Sequence, residues 1–287
     1  MDQPVISSFD SFILGVVEGI TEFLPVSSTG HLVVTSELLG LRAPASHTAD
    51  QIAAIQAFEI VIQAGAILAV LFLYKKPVLE MIQGLLGKSQ DGLKLFFNIC
   101  AATLPVLAIG FLVKDFISEH LQFTGPVLIA MVIGGVLMIV FEKFFVRGDR
   151  ADTHSPTRLH DLSLKQAAFI GFLQCLALWP GTSRSMVTIM GGMLTGLKRP
   201  MAAEFSFLVG LPVLLLATAY KGYKQGPLLI EHIGPSALAI GLFTSMVFAF
   251  FAVKWLVSFL NKRGLAFFGW YRLAVAAVIY FVVGINQ

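Results

Sequence analysis

The stretch G-V-V-E-G-I-T-E-F-L-P-V-S-S-T-G-H, Gly15 to His31, decides how the rest of the chain is read. It begins as an apolar helix, yet Glu18 and Glu22 are four residues apart and so share one helical face. Pro25 stops that helix, and Val26-Ser27-Ser28-Thr29-Gly30 makes a turn of small, mostly polar residues. The chain then becomes apolar again through His31, Leu32, Val33 and Val34. Carboxyls, hydroxyls and an imidazole this close together in a greasy segment need partners, because buried polar groups are costly without them.

Composition sets the class. Of 287 residues, 56% are hydrophobic and 13% charged, with a mean hydropathy of +0.82, whereas a soluble domain carries about 25% charged residues. Several runs reach the roughly 20 apolar residues that cross a bilayer. The chain is therefore read as an all-α, polytopic membrane protein, with no nucleic-acid partner expected. Asp2 and Asp10 but no lysine or arginine precede the first apolar segment, so a cleavable signal is not expected. Cys100 and Cys175 lie in apolar segments and say nothing about redox compartment.

After a polar loop, Gly40 to Gln51, spans are expected at about Ala53–Tyr74, Leu93–Val113 and Pro126–Phe145. The hydrophilic segment Arg147 to Lys165 divides the chain. Gln166 to Leu197 then resembles the opening stretch, apolar on both sides of W-P-G-T-S-R-S. Three more spans follow at about Ala202–Tyr220, Pro235–Leu260 and Ala266–Ile285. Gly15-Val16-Val17-Glu18 matches Gly171-Phe172-Leu173-Gln174, and Pro25-Val26-Ser27-Ser28 matches Pro180-Gly181-Thr182-Ser183 with one residue dropped. Glu59 precedes Gly65 by six positions, as Glu204 precedes Gly210.

These matches, in one order, make an internal repeat. Residues 1–146 form the first copy, with a re-entrant hairpin at about 10–39, and 147–165 the connection. Residues 166–287 form the second copy, with its hairpin at about 166–197. One hairpin plus three spans per copy is an odd number of crossings, so the second copy is inverted. That plan brings broken helices together near the midplane, and interrupted backbone is tolerable there only when buried in protein or lining a wet cavity. If the first hairpin enters from one side, thirteen lysines and arginines fall on the opposite side and four (Arg42, Lys114, Lys221, Lys224) on its own. The basic side is cytoplasmic, which places both termini and the first hairpin outside.

Glu18 and Glu22, paired on one face, suit a divalent cation, a general base, or both. Ser27, Ser28 and Thr29 can cap the outgoing half-helix, but one cap needs one hydroxyl. A hydroxyl beside a carboxylate or imidazole is a candidate nucleophile. His31, one turn further, is either an interhelical hydrogen-bonding residue or a catalytic one. In the second turn, Arg184 needs an anion: phosphate, which its planar fork fits, or an internal partner in Glu18 or Glu22. Gly181, Thr182, Ser183 and Ser185 around it leave N–H groups at a helix start, and both outgoing half-helices aim positive dipole ends at this place. Glu59, Gln63 and Glu204 are read as structural support, and phenylalanine as lipid-facing and core filler.

E-G-I-T-E-F-L-P-V-S-S-T-G-H at positions 18 to 31, with P-G-T-S-R-S-M-V-T at 180 to 188, resembles the bacitracin-resistance type of undecaprenyl-diphosphate phosphatase over essentially the whole chain. The resemblance implies hydrolysis of undecaprenyl diphosphate to undecaprenyl phosphate and inorganic phosphate, recycling the lipid carrier of cell-wall synthesis. It also implies a bacterial inner membrane, an outward-facing site and a divalent cation, Mg2+ or Ca2+. By motif position its functional residues are Glu18, Glu22, Ser28, His31, Ser183 and Arg184. The resulting expectation is six transmembrane helices and two re-entrant hairpins. Arg184 and the helix starts, with Gly181, Thr182, Ser183, Ser185, Ser27 and Thr29, hold phosphate, and Glu18 and Glu22 the cation. Ser28 is taken as nucleophile with Glu22 or His31 as base, and attack by water or by His31 stays open. The competing expectation is a transporter or flippase of a polyprenyl phosphate, since broken helices in inverted repeats are a common transporter plan. Whether the chain is a homodimer is not legible in the sequence.

Overall fold

The computed structural model describes residues 5–42, 47–121, 123–145, 156 and 158–283. Most of the Arg147–Lys165 connection and part of the Gly40–Gln51 loop lie outside the described residues. The described chain is helical throughout, with no strand among these residues.

Helices begin where short polar side chains can satisfy free N–H groups. Ser7 caps α1 (Ser8–Thr21), with Asp10 bonding back to the Ser7 N–H. The α2 helix (Ser28–Leu38) follows, and Thr48 with Gln51 opens α3 (Ala49–Val61) in the same reciprocal way. A break at Ile62 separates α3 from α4 (Gln63–Leu73), and α5 (Lys75–Leu85) comes directly after Tyr74. Then come α6 (Gln90–His120) and α7 (Thr124–Phe145). The second half contains α8 (Leu164–Gln174), capped by Ser163 and Gln166, and α9 (Arg184–Leu194). It closes with α10 (Arg199–Leu228), α11 (Pro235–Lys262) and α12 (Ala266–Val282).

Among the described residues, five stretches are long and apolar enough to cross a membrane: Ala49–Leu73, Gln90–His120, Thr124–Phe144, Arg199–Ile233 and Pro235–Lys262. This is a multi-pass membrane protein. The α12 helix, with 17 residues, is at the short end of the lengths that cross. The sequence pattern found the centres of these segments but not their ends. Periodicity does not mark where a helix leaves the apolar layer, so α6 and α10 run well past the expected limits, to 31 and 30 residues. Nor did it anticipate α5, whose Lys75, Lys76 and Glu80 interrupt the apolar run.

Close approach of backbones holds the bundle together. The α1 helix lies along α11, with Gly15 and Gly19 at the contact, and α4 meets the same helix at Gly65. The α8 helix packs on α6 where Gly171 faces Ala102, and α7 meets α12 with Gly135 against Gly269. Small residues at such seams let dispersion contacts form where no hydrophobic drive between helices exists. Phe23, Phe58, Phe205, Phe207 and Phe268 fill the interior, while Phe9, Phe72, Phe111 and Phe281 point outward.

The Gly19 seam is testable. A Cβ there would sit 2.9 Å from the Ala249 nitrogen and 3.0 Å from the Phe248 Cβ, so overpacking should cost about 1–3 kcal/mol. Gly19→Ala is expected to lower the thermal midpoint of the detergent-solubilised protein by several degrees. Gly226→Ala, with nothing within 4 Å of its Cβ, should leave it unchanged or raise it. Equal midpoints for both variants would contradict the packing described.

Candidate active site

The interior site forms where α1 gives way to α2 and α8 to α9. Glu22 closes α1, its N–H donating to the Glu18 carbonyl at 3.0 Å. The chain turns through Phe23 to Val26 and restarts at Ser28. In the second half a short 3-10 turn, Cys175–Leu178, leads to a tight turn at Gly181 and then to α9. Among the described residues only two that are not glycine have positive φ: Ser27 at 73° and Ser183 at 76°. They are the N-caps of α2 and α9. The Ser27 hydroxyl accepts from the Gly30 N–H and the Ser183 hydroxyl from the Met186 N–H. Left-handed backbone costs an L-residue about 1–3 kcal/mol, and glycine would avoid that cost but offer no cap oxygen. Each outgoing helix has 11 residues, about 16 Å, too short to cross a membrane.

The two turns touch. Arg184 Nη2 donates to Glu22 Oε1 at 3.1 Å and Nη1 to the Ser206 carbonyl at 3.0 Å. Its guanidinium carbon lies 5.2 Å from the centre of the Phe23 ring. The other oxygen of Glu22, Oε2, accepts from the Ser28 hydroxyl at 2.7 Å. Ser185 donates to the Leu24 carbonyl at 2.7 Å, and its oxygen lies 3.1 Å from that of Ser183. Glu22 is therefore the node. One carboxylate joins an arginine of the second turn to a serine of the first while only 8% exposed.

Glu18, one turn back on α1, is fully buried, and neither carboxyl oxygen has a hydrogen-bond donor. Its carboxyl adjoins that of Glu22. Two adjacent carboxyls with no donor for one of them need a shared proton or a cation. That donor set, all oxygen, suits a hard divalent ion. Arg184 Nε also lacks a partner.

His31 bonds between helices, one of the two readings its position in the sequence allows. Its Nδ1 is 2.7 Å from the Ser27 carbonyl and so must be the protonated nitrogen, since a carbonyl only accepts. In the neutral ring Nε2 accepts from the Tyr271 hydroxyl at 2.9 Å, with the two rings nearly parallel. Neither nitrogen bonds Ser28 or a glutamate. Thr29 is exposed at the turn. Gly181 and Thr182 turn their carbonyls to Arg272, at 2.8 and 2.9 Å. Tyr271 and Arg272 escaped the sequence reading. The signal for Arg272 was present, because an arginine inside the apolar run Ala266–Val282 calls for the same explanation as Arg184.

Ser28 and Thr29 open into a cavity of about 300 Å3 that is also lined by Gln56, Gln63, Arg42 and Lys221. Glu59 lies in its wall, held by Arg42 at 2.8 Å and by the Ser36 hydroxyl at 2.6 Å. Glu59 is thus satisfied within the fold, in keeping with the supporting role read from its position.

A helical membrane protein with a buried carboxylate, hydroxyl and guanidinium where two broken helices meet is the class that fold and site define. The family described as bacitracin resistance protein BacA matches residues 11–278. The chain belongs to that family. It is 42% identical over 272 residues to an undecaprenyl-diphosphatase of Sorangium cellulosum, covering 94% of this chain and 85% of that one. An undecaprenyl-diphosphatase 3 of Acinetobacter baylyi is 39% identical over 97% of this chain and 98% of its own length. A Pseudomonas putida undecaprenyl-diphosphatase is 40% identical over 95% and 93%.

Gly210 of α10 leaves room for the arginine, since a Cβ there would collide with the Arg184 guanidinium, 2.7 Å from its carbon. Gly210→Ala should displace Arg184 from Glu22. A charge-assisted bond is worth about 1.5–3 kcal/mol, so turnover on a lipid diphosphate should fall roughly tenfold to a hundredfold. Wild-type turnover in this variant would show that Arg184 can work from another position.

Proposed function

We propose that this chain hydrolyses undecaprenyl diphosphate to undecaprenyl phosphate and inorganic phosphate, through Ser28 as nucleophile and Glu22 as base. The observation that carries the reading is the 2.7 Å hydrogen bond from the Ser28 hydroxyl to Glu22 Oε2, in a carboxylate that also holds Arg184. A binding site for transport needs the arginine and the helix ends but has no use for a hydroxyl poised on a base. The names of the relatives agree with a hydrolase.

The diphosphate enters the cavity above Ser28 and Thr29. Arg184 turns its fork from Glu22 to the terminal phosphate, beside the N-termini of α2 and α9 and the hydroxyls of Ser183 and Ser185. Glu22, released from the ion pair, takes the Ser28 proton as Oγ attacks the terminal phosphorus, and undecaprenyl phosphate leaves. The proton taken from Ser28 leaves with the departing undecaprenyl phosphate, so Glu22 is again a carboxylate. Water then attacks the phosphoserine, and Glu22 takes its proton and returns it to Ser28 Oγ as inorganic phosphate is freed. Stabilisation of the transferring group's charge is the main task in phosphoryl transfer. A divalent cation, Mg2+ or Ca2+, bound by Glu18 and Glu22 would supply part of it, and the undonated oxygens of Glu18 support that assignment. His31, bonded to the Ser27 carbonyl and Tyr271, acts in this scheme by holding the strained cap of α2.

The inverted-repeat plan, with copies at 1–146 and 166–287 and six crossings, belongs to the same proposal. Its support is the pair of serines at positive φ, each starting an 11-residue helix after a reciprocally capped incoming helix. With the basic side cytoplasmic, the cavity opens to the periplasm.

Phosphate release by the purified protein in detergent tests the activity, because transport needs two compartments and hydrolysis does not. Wild type should release phosphate in a divalent-dependent manner, and Ser28→Ala should lose at least about a hundredfold. If Ser28→Ala keeps near-normal turnover while His31→Ala abolishes it, the serine mechanism is wrong.

Orientation has its own test. Single cysteines placed in the 147–157 segment of a Cys100→Ser, Cys175→Ser background should resist a membrane-impermeant thiol reagent in intact cells and react after lysis. Labelling before lysis would put the cavity on the cytoplasmic side.

A further inference from the structure

The Arg272 side chain is fully buried in α12, and no carboxylate pairs with it among the described residues. Four backbone carbonyls surround it instead. Its Nε donates to Met131 at 3.2 Å and Nη2 to Ala130 at 3.1 Å, both within α7. Nη1 donates to Thr182 at 2.9 Å and Nη2 to Gly181 at 2.8 Å, both in the second turn. Gly134 admits the fork, because a Cβ there would lie 2.5 Å from Nη2 and 2.9 Å from the guanidinium carbon.

A full charge left to neutral dipoles is a costly way to join two helices, since uncharged donors could bond the same carbonyls. The charge gains a purpose from which carbonyls it takes. In a trans peptide, C=O and the following N–H point in opposite directions. Holding the Thr182 carbonyl toward α12 therefore turns the Ser183 N–H away from α12. The guanidinium also polarises those peptide units. The Thr182 N–H is already given to the Trp179 carbonyl at 3.1 Å, so the gain for an incoming anion falls on the Ser183 N–H.

We infer that Arg272 is a positioning residue for phosphate, fixing and polarising the second turn from behind so that the Ser183 N–H and the α9 start receive the anion while Arg184 grips it from the front. The inference rests on the phosphate-binding assignment of that turn. It requires no contact between Arg272 and substrate.

The test reads phosphate binding without turnover: the thermal midpoint of the full-length, detergent-solubilised protein is titrated with inorganic phosphate. An apparent Kd obtained this way does not depend on how much protein is active. Arg272→Lys keeps the charge but cannot bond four carbonyls in one plane, and should raise the Kd about tenfold. Gly134→Ala, which leaves Arg272 in the chain and displaces its fork, should shift it in the same direction and carries the test if Arg272→Lys does not fold. Gly135→Ala is the structural control. Its Cβ would press on the Gly269 carbonyl at 2.9 Å, in the same α7–α12 seam but away from the guanidinium, so it should lower the midpoint and leave the Kd unchanged. Wild-type affinity in the Arg272 and Gly134 variants would overturn the inference, as would equal weakening by Gly135→Ala or a wild type that binds no phosphate. A wild type that binds phosphate but releases none from the lipid diphosphate would instead refute the proposed activity.

Discussion

The ion pair between Arg184 and Glu22 is the contact on which the rest of the interior depends. Each partner is almost entirely removed from water, and a lone buried charge of either sign would cost several kcal/mol. Removing one therefore does more than delete a bond, because it strands the other. The pair also crosses the boundary between the two halves of the chain, from the end of α1 to the start of α9. Ser185 reinforces it by donating to Leu24, so the two turns are tied through side chain and backbone together. Gly210 and Phe23 complete the arginine's surroundings, one by making room and the other by offering a ring face.

Such a pair can be held only if the backbone delivers both groups to one place, and that is where the strain at Ser27 and Ser183 belongs. A helix that simply ended would point its next residues away. A left-handed residue at the cap reverses the chain within a few positions and starts a new helix whose N–H groups face the turn it has left. Serine tolerates the conformation poorly, yet it supplies a cap oxygen with little bulk and no charge. The carbonyl bond from His31 and the carbonyl bonds from Arg272 then fix the backbone around the two reversals, one from each half. Both anchors meet at neighbouring residues of α12, since Tyr271 holds His31 and Arg272 holds the second turn.

Much of this was legible in the sequence, for definite reasons. The apolar runs gave a helical membrane protein, and Pro25 and Pro180 beside small polar residues marked where helices break. Glu22, Ser28 and Arg184 stood out because charge and hydroxyl groups are rare in such a setting, and the fold brings those three into direct contact. Helix ends were not legible, as the overrun of α6 and α10 shows, because a helix continues past the apolar layer with no change in periodicity. Local pattern left His31 open between an interhelical hydrogen bond and a catalytic role, because its partner Tyr271 is 240 positions away and no spacing points to it. Arg272 was readable in principle, but its partners are carbonyls, and no side-chain pattern announces a carbonyl.

The arrangement also bears on why Glu22 can serve two tasks in the proposed reaction. Its two oxygens are divided, one to Arg184 and one to Ser28, so the carboxylate is neutralised and the hydroxyl already oriented. A phosphate arriving beside Arg184 competes for the guanidinium with more oxygens and more charge than a carboxylate has. Transfer of the fork from Glu22 to phosphate leaves the carboxylate with its full negative charge facing only the serine and the cation site. Basicity at Glu22 then appears only when an anion is present to be attacked. In the proposed reaction the serine is thus activated only beside a bound phosphate, so that binding energy from the phosphate would be converted into activation of the nucleophile.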